Sequence, residues 1–148
     1  MKKLQLLIYL LLFIAVVPLT SCDDDDDAEP SRTVLLTTSQ WTGNTIYVDD
    51  VDQTQSFRDK GMDIRTWKLK FNTDGSYTIQ GDMLQPSPYT GTWEFTNNQQ
   101  AILFDKNASN GSETAQINKL SSSELFLQMT LEDTQSGTMI EAEVRFKK

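Results

Sequence analysis

An alternation of apolar and polar residues recurs along this chain and constrains its fold more than any other feature. Between residues 138 and 146, for example, Ile140, Ala142, Val144 and Phe146 alternate with charged residues. Side chains of a β-strand point alternately to its two faces, so a period of two is typical of a strand with one buried face. The pattern predicts an all-β domain built of half-buried strands.

The predicted strands are joined mostly by short turns. They are residues 40–48, 63–71, 76–80, 89–95, 100–105, 113–119, 124–131 and 138–146. Turn-forming stretches such as residues 72–75 (NTDG) and 121–123 (SSS) separate them, which predicts an up-and-down antiparallel meander. Residues 31–39 differ, and their cluster Val34-Leu35-Leu36 predicts a short N-terminal helix that caps one end.

Several short motifs occur in a characteristic order along the same region. They are Leu35-Leu36-x₄-Trp41, Leu69-x-Phe71-x-x-Asp74-Gly75-x-Tyr77, Gly91-Thr92-Trp93-x-Phe95, Ile102-Leu103-Phe104 and Ile117-x-x-Leu120-Ser121-x-x-x-Leu125-x-Leu127. In order and spacing they resemble the lipocalin-like domains of many surface lipoproteins of Bacteroidetes type. The resemblance covers nearly all of residues 33–148 and implies an eight-stranded up-and-down antiparallel barrel.

The chain departs from that family on its first strand. Lipocalins proper carry Gly-x-Trp there, whereas Trp41 is followed by Thr42 and Gly43, and the triplet occurs later, at residues 91–93. Carriage of a hydrophobic ligand is therefore not inherited from the resemblance alone. A barrel that spans the outer membrane is disfavoured, because membrane strands need about 9–11 residues and several predicted strands are shorter.

A lone cysteine follows an apolar leader at the N-terminus. Lys2 and Lys3 precede the apolar residues 4–19, which is the layout of a signal peptide and is too short for a spanning helix. The residues before Cys22 resemble the bacterial lipobox, which implies that the thiol receives diacylglycerol, that the leader is cut before it and that the new amine is acylated, as with palmitate. Residues 1–21 are thus predicted to be a lipoprotein signal peptide and Cys22 to be the lipidated N-terminus.

Residues 22–30 contain five consecutive aspartates, which predict a solvated, extended tether. An acidic run directly after the lipidated cysteine also resembles the export signal of Bacteroidetes surface lipoproteins. We therefore expect a protein anchored in the outer membrane by its lipid and facing the cell exterior. The alternative is a spacer on a protein that faces the periplasm.

The folded domain, residues 31–148, carries 11 basic and 15 acidic residues, a net charge of −4. Without histidine and without a second cysteine, the chain cannot build a His/Cys zinc site, a Cys nucleophile beside Cys22 or a Ser-His-Asp triad. The absence of a basic stripe disfavours nucleic acid as a partner. We expect a non-catalytic protein with no cofactor and no metal.

Aromatic residues on the predicted inward faces are the candidates for a ligand site. The candidates are Trp41, Tyr47, Trp67, Tyr77, Tyr89 and Trp93, and the alternative role for each is plain core packing. Trp67 and Trp93 are expected near a barrel mouth, on neighbouring strands.

The long connection at residues 49–62 is the second candidate. Phe57 is its expected exposed aromatic residue, and the connection is either a solvated loop or a lid. Asp49, Asp50 and Asp52 lack the spacing of a calcium loop.

Two functions remain open from the sequence. The first is a binding module for a small apolar or glycan-like ligand. The second is a structural or interaction subunit of a larger outer-membrane assembly, with a filled barrel. The fold is common to both and does not decide between them.

Overall fold

The computed structural model describes residues 30–81, 88–106, 112–133 and 136–148. Its helices are α1 (Arg32–Thr37), α2 (Thr54–Asp59) and a 3-10 turn (Ile64–Thr66); its strands are β1 (Gln40–Val48), β2 (Val51–Asp52), β3 (Lys68–Phe71), β4 (Ser76–Gln80), β5 (Tyr89–Thr96), β6 (Ala101–Phe104), β7 (Glu113–Leu120), β8 (Glu124–Glu132) and β9 (Met139–Lys147). The predicted leader, Cys22 and the aspartate run lie outside the described residues. In the part of the chain that is described, no helix has the length and apolar character needed to cross a membrane.

The strands form a closed antiparallel barrel. From β3 to β9 each strand pairs with the next, and β1 pairs with both β3 and β9. These eight strands confirm the predicted up-and-down barrel, and the two-residue β2 extends the sheet beside the end of β1. Closure removes the unpaired edges that an open sheet would expose.

The predicted strand at residues 63–71 is wrong in its first half. The strand occupies only Lys68–Phe71, and Ile64–Thr66 forms a 3-10 turn instead. The Asp63 carboxylate accepts a hydrogen bond from the backbone N–H of Arg65 and caps this turn. The turn buries Ile64 completely, so burial is achieved here by a helical turn rather than by alternation.

The connection at residues 49–62 packs on the barrel and is not a solvated loop. The hydroxyl of Thr54 accepts a hydrogen bond from Ile46 N (3.0 Å), and Gln53 N donates to Ile46 O (2.9 Å). Phe57 on α2 is 6% exposed and belongs to the core, so its predicted exposure is wrong. Burying such a ring contributes roughly 1.5–3 kcal/mol, which favours the packed arrangement.

Helix α1 closes one end of the barrel, as predicted. It contacts β3 and β7, which lie on opposite sides of the eight-stranded ring, so the helix crosses the opening. The indole N–H of Trp41 donates to Leu36 O (2.9 Å), and the Lys70 ammonium donates to Thr37 O (2.7 Å). These bonds satisfy carbonyls at the C-terminus of the helix, which the helix itself leaves unpaired. We call this the closed end.

The interior above the closed end is filled by aromatic rings. Phe71 and Trp93 meet edge to face with ring centroids 5.3 Å apart, and Tyr77 and Phe104 do so at 5.1 Å. Such pairs add about 0.5–1.5 kcal/mol each beyond the area they bury. Every strand and core residue that the structure describes lies within residues 31–148, so the closed barrel and its hydrophobic core come from one continuous segment.

Gly43 makes room for the chain segment that precedes β3. A Cβ atom at Gly43 would lie 1.9 Å from the carbonyl oxygen of Ile64, and Gly43 N donates to Trp67 O (3.0 Å). The pairing of β1 with β9 shifts register between Gly43 and Thr45, as at a β-bulge. The missing side chain therefore lets the 3-10 turn approach β1.

We expect Gly43→Ala to destabilise the isolated domain (residues 31–148) by about 1–3 kcal/mol, because the new methyl group collides with backbone rather than with a movable side chain. Urea unfolding followed by tryptophan fluorescence measures the change. Thr45→Ala, on the same strand past the bulge, is the control and should cost less than about 1 kcal/mol. Equal stability of the two variants would contradict the packing at Gly43.

Candidate ligand cavity

A cavity of about 340 Å³ lies within the barrel at the end opposite α1. Its lining consists of Trp67, Leu69, Tyr77, Ile79, Tyr89, Phe104, Met129, Leu131 and Phe146 together with the polar residues Asp105, Glu113 and Thr130. Ligand pockets typically span about 300–1,000 Å³ and are mainly apolar with a few polar groups. The barrel is thus filled at the closed end and hollow at the other, which we call the open end.

Strand register brings the cavity walls together. Tyr77 pairs with Gly91 and Ile79 with Tyr89 across β4 and β5, while Phe104 pairs with Glu113 across β6 and β7. Paired residues share a face of the sheet, so these side chains all point into the barrel. The inward alternation of β7 extends through Ala115, which is fully buried, and places Glu113 above it toward the open end.

The carboxylate of Asp105 is the hydrogen-bonding centre of the cavity. It accepts hydrogen bonds from the hydroxyls of Tyr77 (2.8 Å) and Tyr89 (3.0 Å) and from the backbone N–H of Thr92 (2.9 Å). Asp105 follows the last residue of β6 and has a φ of 50°, a left-handed conformation that Asp tolerates better than most residues. This turn of the backbone brings the side chain into the barrel.

Gly91 provides the space that the Asp105 carboxylate occupies. A Cβ at residue 91 would lie 2.1 Å from Asp105 Oδ1 and 2.7 Å from Cε1 of Tyr77. Any side chain at this inward position would therefore displace the carboxylate. In the Gly-x-Trp triplet at residues 91–93, the glycine leaves room for the Asp105 carboxylate and the tryptophan packs in the core.

The cavity environment raises the pKa of both tyrosines and of its second acid, Glu113. Burial, followed by the hydrogen bond to Asp105, raises the pKa of Tyr77, and the bond to Asp105 raises the pKa of Tyr89. Loss of water around its carboxyl, and then the charge of Asp105, raise the pKa of Glu113. Glu113 is exposed to solvent, which places it at the rim of the cavity.

Trp67 forms part of the wall and carries a donor without an acceptor. The residue is 7% exposed, and its indole N–H is buried with no hydrogen-bond partner among the described residues. A Cβ at Gly81 would lie 2.5 Å from Cδ1 of Trp67, so the glycine lets the ring lie flat against the chain. A buried donor left unpaired costs about 1–3 kcal/mol.

Three of the seven aromatic candidates from the sequence line the cavity: Trp67, Tyr77 and Tyr89. Trp41 is fully buried at the closed end, and Trp93 donates its indole N–H to Asn72 O (3.0 Å) within the core. The expectation that Trp67 and Trp93 lie on neighbouring strands is wrong, because β4 separates β3 from β5.

The other two candidates lie away from the cavity. Phe57 is buried on α2. Tyr47 faces outward, where the guanidinium of Arg145 lies 3.8 Å from its ring centroid. Tyr47 also lines a polar cleft of about 200 Å³ on the outer wall with Asp49 and Asp50. The third acid of that connection, Asp52, accepts a hydrogen bond from Thr54 N (2.9 Å) and so shapes the turn into α2.

Sequence reasoning missed Asp105 and Glu113. Asp105 falls at the end of a predicted strand, where an acid is ordinarily solvated, and Glu113 begins the next strand. The available signal was Gly91, a glycine at an inward position of an otherwise aromatic strand, since such glycines often mark a close approach by another group.

We expect Tyr77→Phe to lower the free energy of unfolding of the isolated domain by about 1.5–3 kcal/mol, because the hydroxyl donates to a carboxylate inside the barrel. Tyr89→Phe is the matched variant and should cost less, because Tyr89 is 36% exposed and water can replace its hydroxyl. Chemical denaturation measures both changes. A larger loss for Tyr89→Phe than for Tyr77→Phe would contradict this description of the site.

No protein-family model and no curated protein matches the chain. Among solved structures, a lipocalin-like protein from Bacteroides uniformis is similar to it, with a TM-score of 0.48 and 17% sequence identity. The similarity covers 77% of this chain and 98% of that protein. The barrel assignment rests on the strand pairings of the chain itself.

Proposed function

We propose that this protein is a lipid-anchored binding module that takes a small apolar ligand into the open end of its barrel. The observation that supports the proposal is the cavity of about 340 Å³ with predominantly apolar walls. An apolar ligand that leaves water for such walls gains roughly 25 cal/mol per Å² of buried apolar surface. The closed end, filled by α1 and the aromatic layer, provides a rigid base for the site.

The wall chemistry favours an apolar ligand over a glycan. Sugar hydroxyls that leave water need hydrogen-bond partners, and each unpaired polar group costs a few kcal/mol. Most of the lining side chains are aliphatic or aromatic, and three of the four oxygen lone-pair directions of the Asp105 carboxylate are used by protein donors. A ligand with one polar head and an apolar body suits this lining better.

We propose no reaction at this site. The chain contains no histidine, and the cavity hydroxyls that donate to a carboxylate are those of Tyr77 and Tyr89, whose pKa the contact with Asp105 raises, so they are not activated as nucleophiles. Asp105 instead holds the two tyrosines in place, which is a structural role.

We propose that Cys22 carries the lipid and that the barrel faces the cell exterior. Ser31 accepts a hydrogen bond from Val34 N as the N-cap of α1, so the domain begins at the closed end. A tether of nine residues from Cys22 to Ser31 reaches at most about 30 Å. The anchor would then join the barrel at the side opposite the cavity and leave the open end free for a ligand from the surrounding medium.

Filling the cavity tests the binding function. We expect the isolated domain to bind the neutral fluorophore N-phenyl-1-naphthylamine with increased emission, and octanol to displace it. Met129→Trp adds volume inside the cavity and should weaken binding at least about tenfold, equivalent to 1.4 kcal/mol. Gln128→Trp, the adjacent residue with the opposite orientation on β8, is the control. Absence of binding, or equal binding by both folded variants, would contradict the proposal.

The anchor is tested in cells. We expect Cys22→Ala to abolish incorporation of a radioactive fatty acid and to release the protein from the membrane fraction, because stable anchoring needs more than one acyl chain attached to the protein. Ser21→Ala leaves the thiol in place and should still be labelled. Label retained by Cys22→Ala would contradict the assignment.

A further inference from the structure

We infer that the cavity selects amphiphiles with a protonated amine head over those with a carboxylate head. The inference rests on the proposed binding function and specifies its ligand class. It rests on three observations: which charged residues line the cavity, which of them lack a hydrogen-bond or ion-pair partner, and where the apolar walls lie.

The lining of the cavity has acidic groups without a basic counterpart. Among the described residues that line it, the charged ones are Asp105 and Glu113, and none is Lys or Arg. Two lysines near this region have partners elsewhere: Lys60 pairs with Asp133 (2.6 Å) and Lys106 with Glu94 (2.7 Å). The negative charge of the cavity is therefore not neutralised by these side chains.

The two acids differ in what they can offer a ligand. Asp105 already accepts hydrogen bonds from Tyr77, Tyr89 and Thr92. The Glu113 carboxylate has no hydrogen bond or ion pair within the described part of the chain, although it stands on the inward face of β7 beside Phe104. Glu113 is exposed at the rim of the cavity, so an ammonium group that enters there can form a charge-assisted hydrogen bond with a carboxylate that the described residues leave without a partner.

The rest of the cavity accommodates the tail of such a ligand. Leu69, Ile79, Met129 and Leu131 line the wall together with Phe146. When an ammonium group binds at Glu113, the hydrocarbon chain attached to it can pack against these side chains.

The same arrangement disfavours fatty acids. A carboxylate head inside the cavity would lie near two groups of like charge, and the low dielectric of the site strengthens that repulsion. A neutral alcohol head is neither attracted as an ammonium nor repelled as a carboxylate by the two acids. The expected order of affinity is therefore amine, then alcohol, then carboxylate.

Three eight-carbon probes with the same tail test this order. Octylamine, octanol and octanoate would each displace N-phenyl-1-naphthylamine from the isolated domain at pH 7 and 0.15 M salt. We expect octylamine to bind at least about tenfold more tightly than octanoate, since the amine gains a charge-assisted hydrogen bond and the carboxylate meets like charge. Salt at this concentration screens charges more than about 8 Å from the ligand.

Glu113→Gln should weaken octylamine binding about tenfold and leave octanol binding within about twofold, since only the charged contact is lost. Glu94→Gln removes the same charge from the outer face of β5 and is the matched control for the net charge of the domain; it should leave the amine preference intact.

Octanol binding combined with equal affinities for octylamine and octanoate would overturn the inference and leave the proposed function standing. The same conclusion follows if Glu113→Gln retains the full amine preference, or if Glu94→Gln loses as much of it. Failure of all three probes to bind would overturn both the inference and the proposed function.

Discussion

The pairing of the first long strand with the last one is the interaction on which the rest of this structure depends. Register pairs from Thr42↔Lys147 to Tyr47↔Glu143 join β1 to β9 and close the sheet. Closure fixes the number of strands at eight, and a barrel of this size has an interior just wide enough for packed side chains or one small ligand. Without these bonds the inward face of every strand would lose its enclosure.

The two ends of the barrel use this limited interior differently. At the closed end, α1 crosses the opening, and Trp41 and Lys70 bind its terminal carbonyls. At the open end, the Asp105 carboxylate stands over Gly91, where a side chain would otherwise fill the space. A hollow barrel loses packing energy relative to a filled one. The hydrogen bonds of Asp105 to two tyrosines and one backbone amide offset part of that loss and link the end of β6 to β4 and β5.

Charge is distributed in three places with different consequences. Six of the 21 acidic residues lie between residues 23 and 29, outside the residues that the structure describes. Ion pairs on the outer wall, such as Lys119 with Glu124 (2.6 Å), are exposed and contribute little to stability. Glu113 stands at the rim of the cavity, where partial loss of water raises its pKa and the described residues offer its carboxylate no hydrogen bond or ion pair.

Sequence alone predicted the eight barrel strands, apart from the first half of residues 63–71, together with their order and the helix that caps the barrel, because the period-two alternation and the turns are local properties of the chain. It also predicted Trp67, Tyr77 and Tyr89 as cavity residues. Alternation assigns a side chain to the inward face and does not say at which height of the barrel it lies, which is why Trp41 and Trp93 proved to be core.

Tertiary structure decided the rest. The burial of Phe57 depends on α2 packing against the barrel. The inward turn of Asp105 requires a backbone φ of 50° and the empty space at Gly91, two features that lie 14 residues apart in sequence and meet only when β5 pairs with β6. A site formed by such a pairing has no local pattern in the sequence, because its geometry exists only once the strands are in register.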